Sequence, residues 1–478
     1  MGKREEVVTN IIWRFSERVL AQLVAFAVSV VLARILDPSV YGTVALITVI
    51  TTILQVFVDS GLGNALIQKK EVDNTDFSSV FLVNIFFCAL LYLLLFLSAP
   101  LIASFYEDMS MAPYIRVLGL TVLISGVKNV QQAYVARHMM FRKFFFSTLG
   151  GTIVAGIVGI VMALKGYGVW SLISQHVINL TIDTLILWLI VDWRPQLCFS
   201  FDRIKVLFGY GWKLLVSALL DTGYRNSRQL IIGKIYSPSD LAFYDQGEKM
   251  PTLIANNINV SIDSVLLPVL SREQNDKDRV RAMTRKSIKV GTYVMAPIML
   301  GLVFVAEPLI SLLLKDKWLP AVFFLRIFCI TFIFYPLHTV NLNAIKALGR
   351  SDLFLYLEII KKAIGIVCIL CTMWISVKAM ALSLLVASLL SQIINSWPNG
   401  KLLNYPYIRQ LLDITPSLLI SLVMGITVYC INLLGLSSIP TLVLQIVIGA
   451  TTYILLSYLF KLEEFHYLLN MLKSRRLI

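Results

Sequence analysis

Charge is scarce in this chain, and that scarcity excludes most classes of soluble protein. Charged residues make up 15% of the 478 residues and hydrophobic residues 58%, whereas soluble domains carry about 25% and about 45–50%. The apolar residues, about 277 of the 478, suffice for roughly fourteen membrane spans of about 20 residues each. The sequence therefore predicts an all-α polytopic membrane protein, and it excludes a soluble enzyme, a disordered scaffold and a secreted disulfide domain.

Catalytic and metal-binding motifs are missing as well. The sequence contains no Walker A motif, no nucleophile elbow and no HExxH motif. The six cysteines lie mostly within apolar segments, and the CxxC pair Cys368 and Cys371 has no histidine or second cysteine pair nearby. We therefore expect a secondary transporter rather than an enzyme, with no metal site and no cofactor beyond a Na⁺ or H⁺ gradient.

Fourteen apolar segments are separated by short connections. Because a lipid environment offers no water to satisfy backbone groups, segments of this length must be helical. The predicted segments are 11–35, 41–67, 78–99, 113–136, 146–164, 168–191, 209–233, 241–268, 290–314, 321–345, 353–376, 379–397, 412–434 and 440–460.

Lysine and arginine are distributed asymmetrically between alternate connections. With a cytoplasmic N-terminus, about 25 of these residues fall on the cytoplasmic side and about 6 on the opposite side, by the positive-inside count. The net charge of +14 is explained by this bias, so nucleic acid is not expected as a partner. The sequence predicts a multi-pass membrane protein with both termini in the cytoplasm.

A weak internal repeat divides the chain. Residues 30–39 (VVLARILDPS) align with 230–239 (LIIGKIYSPS), and 59–66 (DSGLGNAL) align with 263–270 (DSVLLPVL). Such repeats are typical of alternating-access carriers, with the substrate site between the halves. The predicted organisation is an N-terminal six-helix lobe over 1–200, a C-terminal six-helix lobe over 201–405, and two further helices with a cytoplasmic tail over 406–478.

Eleven basic residues but only eight acids fall within or at the ends of the predicted spans. Intramembrane charges are costly and mark cavities or paired networks, so this surplus predicts a cationic, substrate-binding cavity. Arg228 has no second acid within its own helix turn, whereas Asp221 can pair with Arg225 at i+4; Tyr224 lies beside them. Because an arginine fork suits diphosphate oxygens, Arg228 and Arg225 are candidate anion contacts.

Three further groups of polar residues could each have either a functional or a structural role. Arg14 and Arg18 could line the cavity or form a local salt bridge with Glu17. Asn256 and Asn259 share one face of a predicted helix with Asp263, and could contact sugar hydroxyls or an ion, or could hydrogen-bond neighbouring helices. Asp59 and Asp263 match in the repeat and are candidates for ion coupling, with helix capping or a buried pair with arginine as the structural alternative.

Several short motifs resemble a known family. They are 32–42 (LARILDPSVYG), 59–69 (DSGLGNALIQK), 135–142 (VARHMMFR), 229–239 (QLIIGKIYSPS) and 267–272 (LPVLSR). In these motifs and in its helix pattern the chain resembles the polysaccharide-transporter branch of the multidrug/oligosaccharidyl-lipid/polysaccharide flippase superfamily, especially Wzx-type O-antigen and colanic acid exporters.

The resemblance implies export of an undecaprenyl-diphosphate-linked oligosaccharide, a lipopolysaccharide or exopolysaccharide precursor, across the inner membrane. It implies a V of two six-helix lobes around a cationic cavity, ion-driven alternating access, and contact with membrane lipids and with polysaccharide polymerase and export machinery. Two alternatives stay open. One is a drug or cation antiporter of the same superfamily, expected to carry an acidic cavity; the other is a membrane glycan polymerase or ligase, which usually has a large extracytoplasmic loop.

Overall fold

The computed structural model describes residues 3–59, 62–69 and 71–475, and within these ranges every regular element is a helix. Helices form at all fourteen predicted positions, which confirms an all-α membrane protein. The helices are α1 (Lys3–Ile35), α2 (Pro38–Asp59), α3 (Leu62–Gln68), α4 (Asn74–Phe105), α5 (Met111–Arg137), α6 (Phe141–Leu164), α7 (Val169–Ile190), α8 (Phe201–Ile235), α9 (Pro238–Arg272), α10 (Lys277–Leu314), α11 (Ala321–Phe332), α12 (Tyr335–Ala347), α13 (Ser351–Thr372), α14 (Val377–Leu402), α15 (Tyr407–Cys430), α16 (Ser438–Leu459) and α17 (Glu463–Arg475).

Twelve segments of the described chain are long and apolar enough to cross a membrane. The two remaining predicted segments, α8 and α13, are helices of 35 and 22 residues but carry several charges each. In α13 the charge is partly neutralised locally, because Lys361 Nζ lies 2.5 Å from Glu358 Oε1, as the i,i+3 spacing predicts. Membrane crossing by α8 and α13 stays a prediction.

The chain folds as two compact units, Met1–Ala242 and Phe243–Ile478. This division differs from the predicted lobe boundaries at 200 and 405, because α8 packs on the helices of the first unit. Arg203 at the start of α8 pairs with Asp73, and Gly233 near its end lies against Leu46 of α2. The predicted boundaries are those of a sequence repeat, and as repeat boundaries they stay a prediction.

The first repeat motif occupies equivalent positions in two helical hairpins. Helix α1 ends at Ile35 and α2 begins at Pro38, while α8 ends at Ile235 and α9 begins at Pro238. Proline favours the first turn of a helix, where its missing N–H costs nothing. In both copies of the motif, the proline therefore marks the point where one helix has ended and the next begins.

The predicted cytoplasmic tail contains a further helix, α17. Phe465 and Leu468 pack with Leu462 against a cluster that includes Tyr293 and Tyr453. Lys289 of α10 pairs with Glu463 and with buried Glu464 at 2.6 and 2.9 Å, and the hydrogen bond from Lys289 lowers the pKa of the Glu463 carboxyl. The amphipathic spacing of this segment explains why it is helical rather than an unstructured tail.

Candidate functional site

A polar cavity of about 460 Å³ lies within the first unit, among α2, α5, α6 and α7. Only two of its lining residues are apolar, although all four helices are candidate membrane spans. So many hydroxyl, amide and carboxylate groups at membrane depth indicate a hydrated, functional cavity. The lining residues are Thr48, Thr51, Thr52, Gln55, Asp59, Leu118, Thr121, Ser125, Lys128, Gln132, Thr148, Thr152, His176, Asn179, Leu180 and Asp183.

A buried ion pair joins two walls of this cavity. Lys128 Nζ on α5 lies 2.5 Å from Asp183 Oδ2 on α7, and both side chains are close to nine-tenths buried. The second carboxylate oxygen, Asp183 Oδ1, is buried and has no hydrogen-bond partner among the described residues. A buried pair of this kind is stable only while both partners are present, because either charge alone would be left uncompensated.

The helix carrying Asp183 can approach α6 closely because α6 presents a glycine there. A Cβ on Gly151 would lie 2.8 Å from the Asn179 carbonyl oxygen and 3.1 Å from Asp183 Cβ. The missing side chain therefore sets the position of the Asp183 carboxylate in the cavity wall.

Asp59 also lines the cavity, at the C-terminal end of α2. Its Oδ1 accepts long hydrogen bonds from Asn129 Nδ2 at 3.4 Å and from Gln55 Nε2 at 3.5 Å. Asn129 is the residue after Lys128, and its own Oδ1 accepts a bond from Asn84 at 3.3 Å. The Asn129 hydrogen bond thus links Asp59 on α2 to α5, the helix that carries the lysine. Of the described residues that line this cavity, Asp59 alone is a predicted site residue.

Arg228 is the most deeply buried of the predicted anion contacts. The residue is 4% exposed, and its Nε and Nη2 atoms have no hydrogen-bond partner among the described residues. No ion pair to Arg228 occurs in that part of the chain either. A buried guanidinium without an anion is energetically unfavourable, so the position is suited to a ligand that brings negative charge.

The other predicted residues of the first unit are less enclosed. Arg225 is largely exposed and pairs with Asp221 Oδ2 at 2.9 Å, as the i,i+4 spacing predicts. Tyr224 is half-buried and Arg18 is exposed. The side chain of Arg14 lies outside what the structure describes.

The predicted residues of the second unit lie along α9. Asn259 Oδ1 accepts a hydrogen bond from Thr339 Oγ1 on α12 at 3.2 Å, which favours the interhelical reading of this residue. Asn256 and Asp263 are exposed, and no hydrogen bond or ion pair of the Asp263 side chain occurs within the described ranges. Asp59 ends its helix, whereas Asp263 lies well inside α9, so the two matched aspartates have different surroundings.

Sequence reasoning missed a buried amide network in the second unit. Asn341 of α12 donates to Gln410 Oε1 at 2.8 Å, and Asn399 of α14 donates to Asn341 Oδ1 at 2.7 Å. Asn395 Nδ2 lies 3.0 Å from His338 Nδ1. Amides that satisfy one another across helices hold a membrane bundle together. The sequence signal was the polar run around His338 and Asn341, but its partners lie 55–70 residues away.

No group of three or more histidine, cysteine or acidic side chains that could hold a metal occurs among the described residues. The charged groups of the first-unit cavity are Lys128, Asp59 and Asp183, so this cavity has more acid than base. The predicted cationic surplus does not line it, and Arg228 lies outside its lining.

Two protein-family models match the chain. The model described as "Polysaccharide biosynthesis protein" matches residues 31–323, which is more than half of the sequence. The model described as "Lipid II flippase MurJ" matches residues 231–450.

Proteins with similar sequences have names that also refer to polysaccharide biosynthesis or transport. The chain is 26% identical to the teichuronic acid biosynthesis protein TuaB of Bacillus subtilis (strain 168), over 64% of each chain. It is 24% identical to the succinoglycan biosynthesis transport protein ExoT of Rhizobium meliloti (strain 1021), over 65% of this chain and 63% of that one. The lipopolysaccharide biosynthesis protein WzxC of Escherichia coli (strain K12) is 21% identical over 76% and 74%. The match thus spans slightly under two thirds of the length of TuaB and ExoT.

Solved structures share the fold. The lipid II flippase MurJ in an inward closed conformation superposes with a TM-score of 0.72 at 17% identity, covering 95% of this chain and 98% of that one. An inward-facing multidrug resistance MATE family transporter of the MOP superfamily superposes with a TM-score of 0.60 at 13% identity, over 85% and 98%. These likenesses confirm the predicted fold, and the family model confirms the resemblance found in the sequence motifs. The chain therefore belongs to the polysaccharide biosynthesis protein family.

Proposed function

We propose that the protein is a flippase that moves an undecaprenyl-diphosphate-linked oligosaccharide across the bacterial inner membrane by ion-coupled alternating access. The names of its relatives supply the substrate class: teichuronic acid biosynthesis, succinoglycan transport and lipopolysaccharide biosynthesis. In this proposal the partners are the lipid-linked glycan, membrane lipids, and the polymerase and export machinery that would use the product. Both termini face the cytoplasm.

The observation that carries the proposal is the buried guanidinium of Arg228, whose Nε and Nη2 atoms have no hydrogen-bond partner among the described residues. A diphosphate offers oxygens in the spacing that a guanidinium fork binds with two charge-assisted hydrogen bonds. The polyprenyl tail can remain in lipid, so only the polar head group needs such a contact. Arg225, Tyr224, Arg18 and Arg14 are secondary candidates for the same head group.

The experiment compares Arg228→Lys, Arg228→Ala and the same-helix control Lys213→Met, whose side chain is exposed. Proteoliposomes would carry an undecaprenyl-diphosphate disaccharide with a fluorescent tag that external dithionite bleaches. We expect Arg228→Lys to slow translocation about 10-fold, because lysine offers one compact charge in place of the two-pronged guanidinium. We expect Arg228→Ala to reduce translocation to background, because alanine offers no charge at all. Lys213→Met should match the wild type.

Membrane abundance separates binding from a structural role. A binding role predicts normal amounts of Arg228→Ala protein without translocation. Full translocation by Arg228→Ala at normal abundance would contradict the proposal, as would loss of this variant from the membrane.

A drug or cation antiporter is the second candidate, and the acid excess of the first-unit cavity favours it. Such a carrier would move a cationic dye with rates that do not depend on Arg228. Translocation of the tagged lipid without dye transport would exclude it.

Ion coupling is the remaining part of the proposal. Intramembrane carboxylates can carry protons or bind Na⁺, and Asp59 and Asp263 are the candidates from the repeat. Asp59 has the stronger support, because it lines a polar cavity that contains a second carboxylate.

A further inference from the structure

The first-unit cavity is lined mainly by side chains that form hydrogen bonds without carrying a charge. Of the described residues that line it, six are threonines, one is a serine and three carry amides, whereas two are apolar. Its volume of about 460 Å³ lies within the range of about 300–1,000 Å³ that is usual for small-molecule sites. A cavity of this size and composition suits a ligand that has many hydroxyl groups of its own.

Three of the threonine hydroxyls already use their protons within their own helices. Thr51 Oγ1 and Thr121 Oγ1 each donate to the carbonyl oxygen three residues earlier, at 3.0 and 2.6 Å. Thr152 Oγ1 donates to the carbonyl oxygen four residues earlier, at 2.8 Å. Because a hydroxyl has one proton and two acceptor lone pairs, these three oxygens are left to accept hydrogen bonds from a ligand.

The ion pair in the cavity wall adds another acceptor and engages a cation. Asp183 Oδ2 is bonded to Lys128 Nζ at 2.5 Å, whereas Asp183 Oδ1 is buried and has no hydrogen-bond partner among the described residues. Lys128 is the only lysine or arginine among the described residues of the lining. A ligand hydroxyl can donate a charge-assisted hydrogen bond to Asp183 Oδ1, but a ligand carboxylate would meet a like charge there.

We propose that this cavity binds an uncharged sugar of the lipid-linked oligosaccharide and excludes a uronic acid. Sugar hydroxyls supply the donors that the threonine oxygens and Asp183 Oδ1 can accept. An ionised uronate can only accept hydrogen bonds, and the lysine of the described lining is already bonded to Asp183. The inference rests on the proposed flippase function, and it specifies the class of sugar that this part of the protein recognises.

The first experiment compares three tagged lipids in proteoliposomes. One carries galactosyl-glucose on undecaprenyl diphosphate, and the other two carry glucuronic acid in the first or the second sugar position. We expect the wild type to move at least one uronic acid lipid about 10-fold more slowly than the neutral lipid, because like charges in a binding site repel. Equal rates for all three lipids would overturn the inference and leave the flippase function standing. A wild type that moves none of them would contradict the proposed function.

A variant with an added cation tests whether the cavity causes this discrimination. Thr52 lines the cavity and is exposed, so Thr52→Lys adds a positive charge without removing the pair of Lys128 and Asp183. We expect Thr52→Lys to reduce the discrimination against uronic acid about 3-fold or more. The matched control, Thr52→Gln, has a long uncharged side chain and should keep the wild-type discrimination. Discrimination that Thr52→Lys leaves unchanged would overturn the inference.

A labelling experiment measures binding without translocation. Thr52→Cys in a cysteine-free background would be labelled in detergent with N-ethylmaleimide, which is uncharged. We expect the galactosyl-glucose lipid to slow labelling about 5-fold by occupying the site, and undecaprenyl diphosphate without sugar to slow it less than about 2-fold. Equal protection by the sugar-free lipid would overturn the inference, as would protection by the cationic dye ethidium but not by the disaccharide lipid. This result decides whether the cavity binds sugar even if the proposed function fails.

Discussion

At the scale of single residues, the burial of Arg228 predicts a side chain that lowers stability in exchange for the proposed binding function. Its guanidinium is 4% exposed and lacks hydrogen-bond partners at Nε and Nη2 among the described residues. An uncompensated buried charge lowers the free energy of unfolding by about several kcal/mol. By contrast, Arg225 on the same helix is largely exposed and paired with Asp221, so its charge lowers the free energy of unfolding little.

Replacing Arg228 with methionine should therefore stabilise the protein while abolishing translocation. Methionine has a similar length and no charge, and we expect a gain on the order of 2 kcal/mol in the free energy of unfolding. The measurement is the thermal midpoint in detergent, with Arg225→Met as the control that should change it little. If the thermal midpoint of Arg228→Met were lower than that of the wild type, Arg228 would have a structural partner, and the prediction would be wrong.

At the scale of helices, α2 packs directly against the second copy of the repeat motif, residues 230–239, within the first unit. A Cβ on Gly42, in the first turns of α2, would lie 1.7 Å from the carbonyl oxygen of Pro238. Nearby, a Cβ on Gly233 of α8 would lie 2.7 Å from Leu46 Cδ1. These glycines are required by close approach, which fixes the C-terminal part of α8 on α2.

Gly42→Ala should destabilise the protein, because the obstructing atom belongs to the backbone and cannot rotate away. Overpacking of this kind costs about 1–3 kcal/mol. The control is Gly209→Ala in α8, where nothing lies within 4 Å of the added Cβ, and a helix interior gains about 0.5–1 kcal/mol from alanine. Thermal midpoints in detergent should move in opposite directions; a neutral Gly42→Ala would contradict the close packing.

For the molecule as a whole, orientation in the membrane follows from charge rather than from the fold. The fold allows either face to be cytoplasmic, whereas the bias of about 25 to about 6 basic loop residues favours cytoplasmic termini. Lys165 follows α6 and Asp276 precedes α10, and in this topology their loops lie on opposite sides.

Single cysteines placed by Lys165→Cys and Asp276→Cys in a cysteine-free background test that topology. A membrane-impermeant maleimide should label the first from outside the cell and the second only after the membrane is opened. The positive-inside rule is the physical reason, because basic loops are retained in the cytoplasm. Labelling of both from the same side would show the predicted topology to be wrong.

Much of this architecture could be predicted from the sequence, because helix formation in lipid depends on the residues of each segment alone. Hydropathy alone gave all fourteen helical positions, because any apolar segment of sufficient length must satisfy its own backbone. The i,i+3 and i,i+4 pairs, Glu358 with Lys361 and Asp221 with Arg225, were equally predictable from spacing. The helical tail α17 was missed because it is short and its apolar face depends on packing against Tyr293 and Tyr453.

The partners of the intramembrane charges were decided only by the tertiary structure. Lys128 and Asp183 are 55 residues apart, and nothing in either segment specifies the other. Their pairing depends on how closely α6 approaches α7 at Gly151 and on which face of α5 turns toward the cavity. Likewise, the sequence placed Arg228 at membrane depth, but its exposure of only 4% depends on how the helices pack around it after folding. Hydropathy sets where helices form because the solvent acts on each segment separately, whereas charge partners are set by contacts between segments, which exist only after folding.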